Sequence, residues 1–322
     1  MTLMRVLVTG GAGFIGSSFA KKAKQQGWDV TIFDNLSTGH KSTVDELEEL
    51  GIRVIIGDIR DRDLLSKETA NCTAVVHLAA QVSVPLSVEK PEETNEINVQ
   101  GTDNVIQSCF DNDVHRLVVA SSAAVYGNAD NLPLKEQDAG QVLSPYAESK
   151  WINEQQILEA RNNGLKATAL RFFNVYGVGQ RPDGAYAAVV PKFVDMMVNK
   201  QAPKINGDGL HTRDFVHVDD VCNAIWSLID GEWKAHNHHV YNVATQTRVT
   251  LLDLIAIINN SLTHGMPNFT PLIPTHGPER VGDIRHSMAS IGRIKETIQW
   301  TPKIEFEHGI KELVLQRLNL QS

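Results

Sequence analysis

A tyrosine and a lysine, Tyr146 and Lys150, stand four residues apart in a segment whose residue types favour a helix. Pro145 suits the first turn and Ser144 can cap it, so both side chains project from one helix face. A phenol becomes a base near neutrality if its pKa falls from about 10 to about 7, which takes roughly 4 kcal/mol of differential stabilisation. An ammonium group, with a second positive charge nearby, could supply this in a partly desolvated site. Such pairs are common on helices, so this interpretation needs further context.

A glycine-rich loop near the N-terminus supplies part of that context. Gly10, Gly13 and Gly16 follow the predicted strand Arg5–Thr9 and open a helix. Gly10 can adopt a positive φ, Gly13 lets the backbone approach a pyrophosphate, and Gly16 lets the helix pack close to the sheet. The helix N-terminus adds unpaired N–H groups and partial positive charge. A bare three-glycine pattern is weak, but this position between strand and helix predicts a dinucleotide-binding loop.

An acidic residue at the end of the second predicted strand indicates which dinucleotide binds. Asp34 lies 18 residues after Gly16, where a carboxylate accepts both ribose hydroxyls of NAD and repels the 2′-phosphate of NADP. No arginine or lysine lies in residues 35–39, so NAD is the predicted cofactor. Asp58, at the end of the third predicted strand, could meet the adenine edge or form an Asx turn.

A serine follows the fifth predicted strand, at residues 116–120. The Ser122 hydroxyl would lie past the carboxyl end of this strand, where it could bridge a substrate and the Tyr146 phenol. A serine at a strand end is ordinarily a turn residue. The glycine loop, this serine and the Tyr/Lys helix are together much more specific than any one of them.

Strands that alternate with helices must position these residues. The predicted strands are 5–9, 30–33, 53–56, 74–78, 116–120 and 166–171, and the predicted helices are 14–26, 43–50, 61–67, 92–111 and 145–163. This alternation predicts an α/β fold with a Rossmann-like doubly wound parallel sheet, whose ligands lie at the carboxyl ends of the strands.

The alternation weakens after about Asn174, where loops rich in proline and glycine predict a smaller mixed α/β substrate lobe. Residues 215–229 and Val240–Val243 are expected to return to the main sheet. We therefore predict an NAD-binding domain of residues 1–173 plus about 213–246. The lobe would comprise residues 174–212 plus 247–322.

Bulk composition excludes several classes of function. The formal charge is −8 over 322 residues, so the chain lacks the excess of basic residues that is typical of nucleic-acid-binding proteins. No apolar run approaches the roughly 18 residues of a membrane span, and the N-terminus lacks signal-peptide anatomy, so we expect a cytoplasmic protein without membrane contact. Cys72, Cys109 and Cys222 are expected to be free, buried thiols. The histidines of residues 236–239 lack partners at metal-site spacing, so no metal is expected.

The chain resembles the extended short-chain dehydrogenase/reductases, and within them the UDP-glucose 4-epimerase family. The resemblance is closest to the UDP-N-acetylglucosamine 4-epimerases. Matching segments run from Val6 to about Ser287 and are TGGAGFIG, DNLSTG, GDIRD, HLAAQ, NVQGT, SSAAVYG, SPYAESK, LRFFNVYG, NGDG, RDFVHVDD and ERVGDIRHS. The resemblance implies that Ser122, Tyr146 and Lys150 are catalytic.

The resemblance also implies the residues that line each ligand. Contacts to NAD are implied for Gly10, Gly13, Phe14, Ile15, Gly16, Asp34, Asn35, Ser37, Gly39, Asp58, Ile59, Leu78, Ala79, Ala80, Gln81, Asn98, Tyr146 and Lys150. Contacts to a UDP-hexose are implied for Ser83, Ser122, Ala123, Tyr146, Asn174, Ala188, Val189, Phe193, Arg213, Arg280, Asp283 and Ser287.

The reaction implied by the resemblance is inversion of carbon 4. Tyr146 would take the proton of the 4-hydroxyl while hydride passes to NAD⁺, and Ser122 would hydrogen-bond the same oxygen. The 4-keto sugar would then rotate within the site and receive the hydride back on its opposite face. Related dehydratases and decarboxylases place an acid after the catalytic serine or threonine, where this chain has Ala123 and Ala124. Two alternative functions stay open. A non-catalytic NAD-binding sensor should lack the complete set of Ser122, Tyr146 and Lys150. A dehydrogenase with net hydride export should accumulate NADH.

The sugar is indicated by a position four residues after Asp283, which borders the sugar pocket in the family. A small residue there, here Ser287, is typical of enzymes that admit N-acetylated sugars, and Ser83 would lie near the acetamido group. Gln81 and Val82 depart from that subgroup, so UDP-glucose and UDP-glucuronate stay open. In this family the helices over residues 92–111 and 145–163 pair across a dimer axis, which implies a homodimer built through a four-helix bundle.

Overall fold

The computed structural model describes residues 4–183, 188–234, 237–279 and 284–320. The strands are β1 Arg5–Thr9, β2 Asp29–Asp34, β3 Arg53–Ile56, β4 Ala74–His77, β5 Arg116–Ser122, β6 Lys166–Phe172, β7 Asn174–Tyr176, β8 Lys204–Asn206, β9 Thr212–Arg213, β10 Phe215–His217, β11 Val240–Val243, β12 Val249–Thr250 and β13 Thr275–Gly277. The α-helices are α1 Phe14–Gln25, α2 Lys41–Glu49, α3 Arg62–Thr69, α4 Val84–Glu89, α5 Pro91–Asn95, α6 Gly101–Asp111, α7 Pro145–Asn162, α8 Val189–Val198, α9 Val218–Ile229, α10 Leu251–Gly265, α11 Gly292–Ile298 and α12 Phe306–Asn319.

Seven of these strands form one parallel sheet in the order β11-β6-β5-β4-β1-β2-β3. The order reverses between β1 and β4, so the connections leave these two strands toward opposite edges of the sheet. A crevice opens at the carboxyl ends of strands at such a switch point, and dinucleotides bind there. The predicted Rossmann-like parallel fold is confirmed.

Helices cover both faces of this sheet, as the long apolar strands require. One face packs against α1, α2 and α9, which contribute residues such as Phe19, Leu47 and Ile225 to its core. The other packs against α3, α6 and α7, through residues such as Leu65 and Ile157. A third core lies among α8, α10 and α12. Within the described ranges, no helix has the length and apolar character needed to cross a bilayer.

The prediction that residues 215–229 return to the main sheet is wrong for the strand at their start. β10 pairs with β7 in a separate two-stranded parallel sheet, with Phe215 opposite Asn174. The reason is that the free edge of β6 is taken by β11, whose residues pair from Val240 opposite Ala169 to Val243 opposite Phe172. Helix α9 nevertheless packs on the sheet, against α1. The return of Val240–Val243 to the main sheet is confirmed.

The single helix predicted over residues 92–111 is divided into α5, a π-helical segment Glu96–Gln100 and α6. The π-helical turn rotates the face that carries Asn98, which is buried against the loop that follows β4. Such turns often occur at functional sites. Here the turn aims an amide side chain at the carboxyl edge of the sheet.

Candidate active site

The glycine loop closes the switch point between β1 and β4. Gly10 has φ +67°, and a Cβ atom on it would lie 2.5 Å from the backbone nitrogen of Ala79, directly after β4. A Cβ atom on Gly16 would lie 2.4 Å from the carbonyl oxygen of Gly10, so α1 starts against the loop itself. Gly13 precedes α1, and no described side chain caps that helix. The loop therefore presents free N–H groups at a helix N-terminus, which suits a pyrophosphate.

The carboxylate of Asp34 is fixed by the loop that it faces. One oxygen accepts a hydrogen bond from the backbone N–H of Ala12 (2.9 Å), and the other from that of Leu36 (2.8 Å). Each oxygen keeps a further lone pair that can accept a ribose hydroxyl. A Cβ atom on Gly39 would lie only 3.3 Å from Asp34 Oδ1, so a glycine at this position leaves the carboxylate accessible to a ribose hydroxyl. These residues fit NAD.

Asp58 forms the Asx turn that the sequence also allowed. Its Oδ1 accepts from the backbone N–H of Arg60 (2.9 Å), and the Arg60 guanidinium donates to both carboxylate oxygens. These hydrogen bonds hold the pKa of Asp58 well below its usual range. Asn35 also donates to it (3.0 Å). Sequence reasoning missed Arg60, although it stands two residues after Asp58; contact of Asp58 with adenine stays a prediction.

Asn98 joins the loop after β4 to the catalytic helix. Its Oδ1 accepts from the backbone N–H of Gln81 (2.8 Å), and its Nδ2 donates to the Gln81 carbonyl and to Ser149 Oγ (both 2.9 Å). Ser149 lies on α7 beside Lys150. The π-helical turn therefore sets the loop of predicted cofactor contacts, residues 78–81, at a fixed distance from α7.

A buried histidine that sequence reasoning missed lies beneath this loop. His77, at the end of β4, has Nδ1 2.7 Å from Thr9 Oγ1 and Nε2 2.9 Å from Thr102 Oγ1. Burial, assisted by the charge of Lys150, lowers the pKa of His77 to about 3. The imidazole is therefore neutral and ties β1, β4 and α6 together. Its only sequence signal is a polar residue that ends an otherwise apolar strand.

The structure brings Ser122 and Tyr146 together at the carboxyl edge of the sheet. Ser122 ends β5 and accepts a hydrogen bond from the backbone N–H of Ala124 (3.2 Å), while Tyr146 lies in the first turn of α7. Burial raises the pKa of the Tyr146 phenol, and a hydrogen bond from the Ser122 hydroxyl lowers it. The Ser122 hydroxyl is therefore near the phenol of Tyr146, and its role as a bridge to a substrate stays a prediction.

Lys150 lies one turn further along α7 and is almost fully buried. Its Nζ donates to the carbonyl oxygen of Ala120 on β5 (2.9 Å). Burial lowers the pKa of Lys150 to about 8, and the negative charge of Glu154 opposes this change. The ammonium is therefore held against the strand that carries Ser122. Its expected effect on the phenol pKa stays a prediction.

The predicted substrate residues lie on several different elements. Ser83 caps α4, accepting from the backbone N–H of Leu86 (3.2 Å), and the ring of Phe193 packs in the third core, among α8, α10 and α12. Ala123 starts a 3₁₀ turn after Ser122, while Ala188 and Val189 stand at the start of α8. Arg280 and Asp283 lie outside the described residues.

A buried aspartate, also missed from the sequence, organises the strands that carry the other predicted substrate residues. Asp214 accepts hydrogen bonds from the backbone N–H groups of Thr245 (2.7 Å), Gln246 (3.0 Å) and Ala289 (3.1 Å). The Asn174 side chain donates to its carbonyl oxygen (2.9 Å). Arg213 precedes it in β9, and the backbone N–H of Ser287 donates to Thr212 (3.1 Å). Asp214 therefore fixes Thr245, Gln246 and Ala289 through its carboxylate, and Asn174 through its carbonyl oxygen.

Known proteins resemble this chain over most of its length. The profile of the NAD dependent epimerase/dehydratase family matches residues 6–244. A putative UDP-glucose 4-epimerase of Methanocaldococcus jannaschii is 37% identical over 96% of this chain and 97% of its own length.

Two solved structures cover nearly all of the chain. The UDP-N-acetylglucosamine 4-epimerase from Methanobrevibacter ruminantium, in complex with UDP-N-acetylmuramic acid, superposes with a TM-score of 0.91 at 34% identity over 100% of both chains. The Thermus thermophilus UDP-glucose 4-epimerase, in complex with NAD, gives 0.83 at 31% identity over 98% of this chain and 99% of its own. The predicted family and NAD dependence are confirmed. The chain belongs to the NAD-dependent epimerase/dehydratase family and, within it, to the UDP-sugar 4-epimerases, which are isomerases.

Proposed function

We propose that this enzyme interconverts UDP-N-acetylglucosamine and UDP-N-acetylgalactosamine through a 4-keto intermediate, with UDP-glucose and UDP-galactose as further candidate substrates. The observation that carries the catalytic part is the burial of the Tyr146 phenol near Ser122, on the helix that also holds the buried Lys150 ammonium against β5. These three groups meet at the carboxyl edge of the sheet, next to the switch point at which NAD fits.

NAD, when bound, supplies a group that accepts a hydride from carbon 4 and returns it. Asp34 and the glycine loop would hold the ribose and the pyrophosphate of the cofactor. Tyr146 takes the proton of the 4-hydroxyl and returns it to the same oxygen once carbon 4 is inverted. Ser122 donates a hydrogen bond to the same oxygen, which orients it toward the phenol. Lys150, tied to Ala120, supplies the positive charge that favours the phenolate.

The residues after Ser122 favour epimerisation over elimination. Ala123 and Ala124 hold the positions at which an added acid would protonate a leaving hydroxyl, and Ala124 instead donates its backbone N–H to Ser122. Tyr146 is then the proton-transfer group available at carbon 4. A site of this composition can oxidise and reduce the sugar without expelling water.

The N-acetylated sugars are favoured by small residues at two predicted sugar contacts, Ala123 and Ser287. The backbone of Ser287 is fixed to Thr212, so its side chain position is set by the strand that carries Arg213. The Methanobrevibacter ruminantium enzyme, described with an N-acetylated UDP-sugar, supports the same choice. We propose that the acetamido group occupies the space that a large ring at position 287 would fill.

The test is to incubate the purified protein separately with UDP-N-acetylglucosamine, UDP-glucose and UDP-glucuronate. Proton NMR distinguishes axial from equatorial carbon 4 in the products. Turnover of UDP-glucuronate alone would overturn the proposed substrate. Ser287→Tyr should abolish turnover of the N-acetylated sugar and spare that of UDP-glucose, whereas the matched Ser287→Thr should spare both.

We further propose a homodimer in which α7 and the α5–α6 segment of each subunit form a four-helix bundle. Leu158 on α7 is partly exposed, which suits such contact. Sedimentation at micromolar concentration should give twice the mass of the chain, and a lone monomer would contradict the proposal. The division into a cofactor domain and a substrate lobe, and a cytoplasmic location, stay predictions.

A further inference from the structure

A buried ion pair lies one helical turn behind the catalytic lysine. Glu154 on α7 is 0% exposed, and Arg171 on β6 is 1% exposed. The guanidinium donates from Nε to Glu154 Oε1 (2.8 Å) and from Nη2 to Oε2 (2.7 Å). Desolvation of two charges offsets most of their attraction, so a buried pair is weak evidence for a stabilising role. The pair lies between α7 and β6, one helical turn from Lys150, and this position indicates a role in the geometry of the site.

The pair contacts the strand that ends in Ser122. Ser121 Oγ donates to Glu154 Oε1 (2.5 Å), and Ser121 lies opposite Arg171 in the β5–β6 register. The carboxylate thus accepts hydrogen bonds from two neighbouring strands while its own helix carries Tyr146 and Lys150. A change in this carboxylate would move α7 relative to the residue before Ser122.

Arg171 extends the same contacts to the turn after Ser122. Its Nη1 donates to Tyr126 Oη (2.8 Å) and to the carbonyl oxygen of Glu136 (2.7 Å). Tyr126 ends the 3₁₀ turn that Ser122 caps, and its own hydroxyl donates to Asn242 on β11 (2.6 Å). Ser121 before Ser122 and Tyr126 after it therefore both hydrogen-bond to members of the ion pair.

Glu154 also acts on Lys150 through its charge. Among the described groups that surround the ammonium, His77 of β4 is neutral, and Tyr146 lies one turn earlier on α7. Glu154 is the group whose charge opposes the effect of burial on Lys150. On its other side the carboxylate faces Arg171 and the neighbourhood of His239, whose pKa is lowered mainly by burial.

We propose that Glu154 is a positioning residue for epimerisation, because its carboxylate joins the helix that carries Lys150 to the strand that ends in Ser122. This inference rests on the roles proposed above for Tyr146 and Lys150. It extends the catalytic set to a residue that touches neither the substrate nor NAD.

The test compares Glu154→Gln with Glu159→Gln, a matched change at an exposed position of the same helix. With UDP-N-acetylglucosamine and UDP-glucose as substrates, the loss of charge should shift the alkaline limb of the kcat profile by about one pH unit to lower pH, which is about a tenfold loss of kcat on that limb. KM and bound NAD should stay unchanged. Glu159→Gln should match the wild type in every respect.

A second variant separates positioning from folding. Glu154→Gln leaves the Arg171 charge buried without its partner, so that variant alone could unfold. The double variant Glu154→Met, Arg171→Leu removes both charges and keeps the volume. It should fold, retain NAD and still show the shifted alkaline limb. A double variant with the wild-type pH profile would overturn the inference.

Failure of the inference differs from failure of the proposed roles. If Tyr146→Phe retains turnover, the proposed catalytic roles are wrong, and the inferred role of Glu154 is wrong as well. If Tyr146→Phe is inactive while Glu154→Gln and the double variant both show the wild-type profile, only the role of Glu154 is refuted.

Discussion

Substitution of Gly10 by alanine tests whether close contact between β1 and β4 creates the cofactor crevice. An alanine at φ +67° costs roughly 1–2 kcal/mol in backbone strain. Its Cβ would also lie 2.5 Å from the backbone nitrogen of Ala79 and 2.7 Å from the carbonyl carbon of Leu78. Both are backbone atoms, so the two strands must separate by about 1 Å to reach ordinary contact. Such overpacking typically costs a further 1–3 kcal/mol.

Gly27→Ala is the matched control. Gly27 has φ +81°, but a Cβ atom there would meet nothing within 4 Å, so this variant carries the backbone strain alone. We expect urea unfolding to show a loss of about 1–2 kcal/mol for Gly27→Ala and roughly 2–5 kcal/mol for Gly10→Ala. Equilibrium dialysis should show unchanged NAD affinity in the control and at least about a tenfold loss in Gly10→Ala, the equivalent of 1.4 kcal/mol.

The comparison has a definite refuting result. If both variants lose the same stability and bind NAD equally well, contact between the loop and the backbone after β4 does not shape the crevice. The reasoning from the switch point would then be wrong, whatever the cause of the lost stability.

Three further predictions concern the catalytic edge and the substrate lobe. Tyr146→Phe should lower kcat by about 10²–10⁴-fold, the usual contribution of a general base, and retain bound NAD; NMR turnover assays and cofactor release on denaturation measure both. Because burial lowers the pKa of Lys150 to about 8, its ammonium is present below that pH and lost above it, so kcat should fall as pH rises through about 8 while KM changes little. A flat profile from pH 7 to 10 would contradict this assignment. Asp214→Asn places an NH₂ donor where a carboxylate oxygen now accepts from the backbone N–H groups of Gln246 and Ala289. This variant should raise KM for UDP-sugars roughly tenfold or more with kcat nearly unchanged. An unchanged KM would show that the loops around Gln246 and Ala289 hold their positions without the carboxylate.

Local sequence patterns predicted the elements that carry the candidate cofactor residues. β1 and β3 have the predicted bounds because continuous apolar runs between turn residues mark buried parallel strands. Gly10, Asp34 and the Tyr146 helix were also found from spacing, since each depends on residues only a few positions away. The preference for NAD followed from these local signals, whereas the family was identified from the resemblance of motifs along most of the chain.

Long-range pairings were harder to predict. The sequence of β10 predicts a strand of the main sheet. Its partner, however, depends on which strand pairs with the edge of β6, and β11 occupies that edge. Asp214 reads as an ordinary turn residue, although its hydrogen-bond donors lie 31 and 75 residues away. The π-helical turn at Asn98 has no compositional signal, because the same residues also suit an α-helix. Such features depend on contacts that form only in the folded chain.

The late arrival of β11 has a consequence for biosynthesis. As the chain leaves the ribosome, β6 emerges complete, yet the strand that covers its open edge follows only after the residues between 173 and 239 have been made. At ordinary elongation rates this delay is on the order of several seconds. During it, the open edge of β6 presents unpaired backbone groups, a template for association with neighbouring nascent chains. Slower translation between β6 and β11 should therefore lower the yield of native enzyme, and a chaperone that shields that edge should restore it.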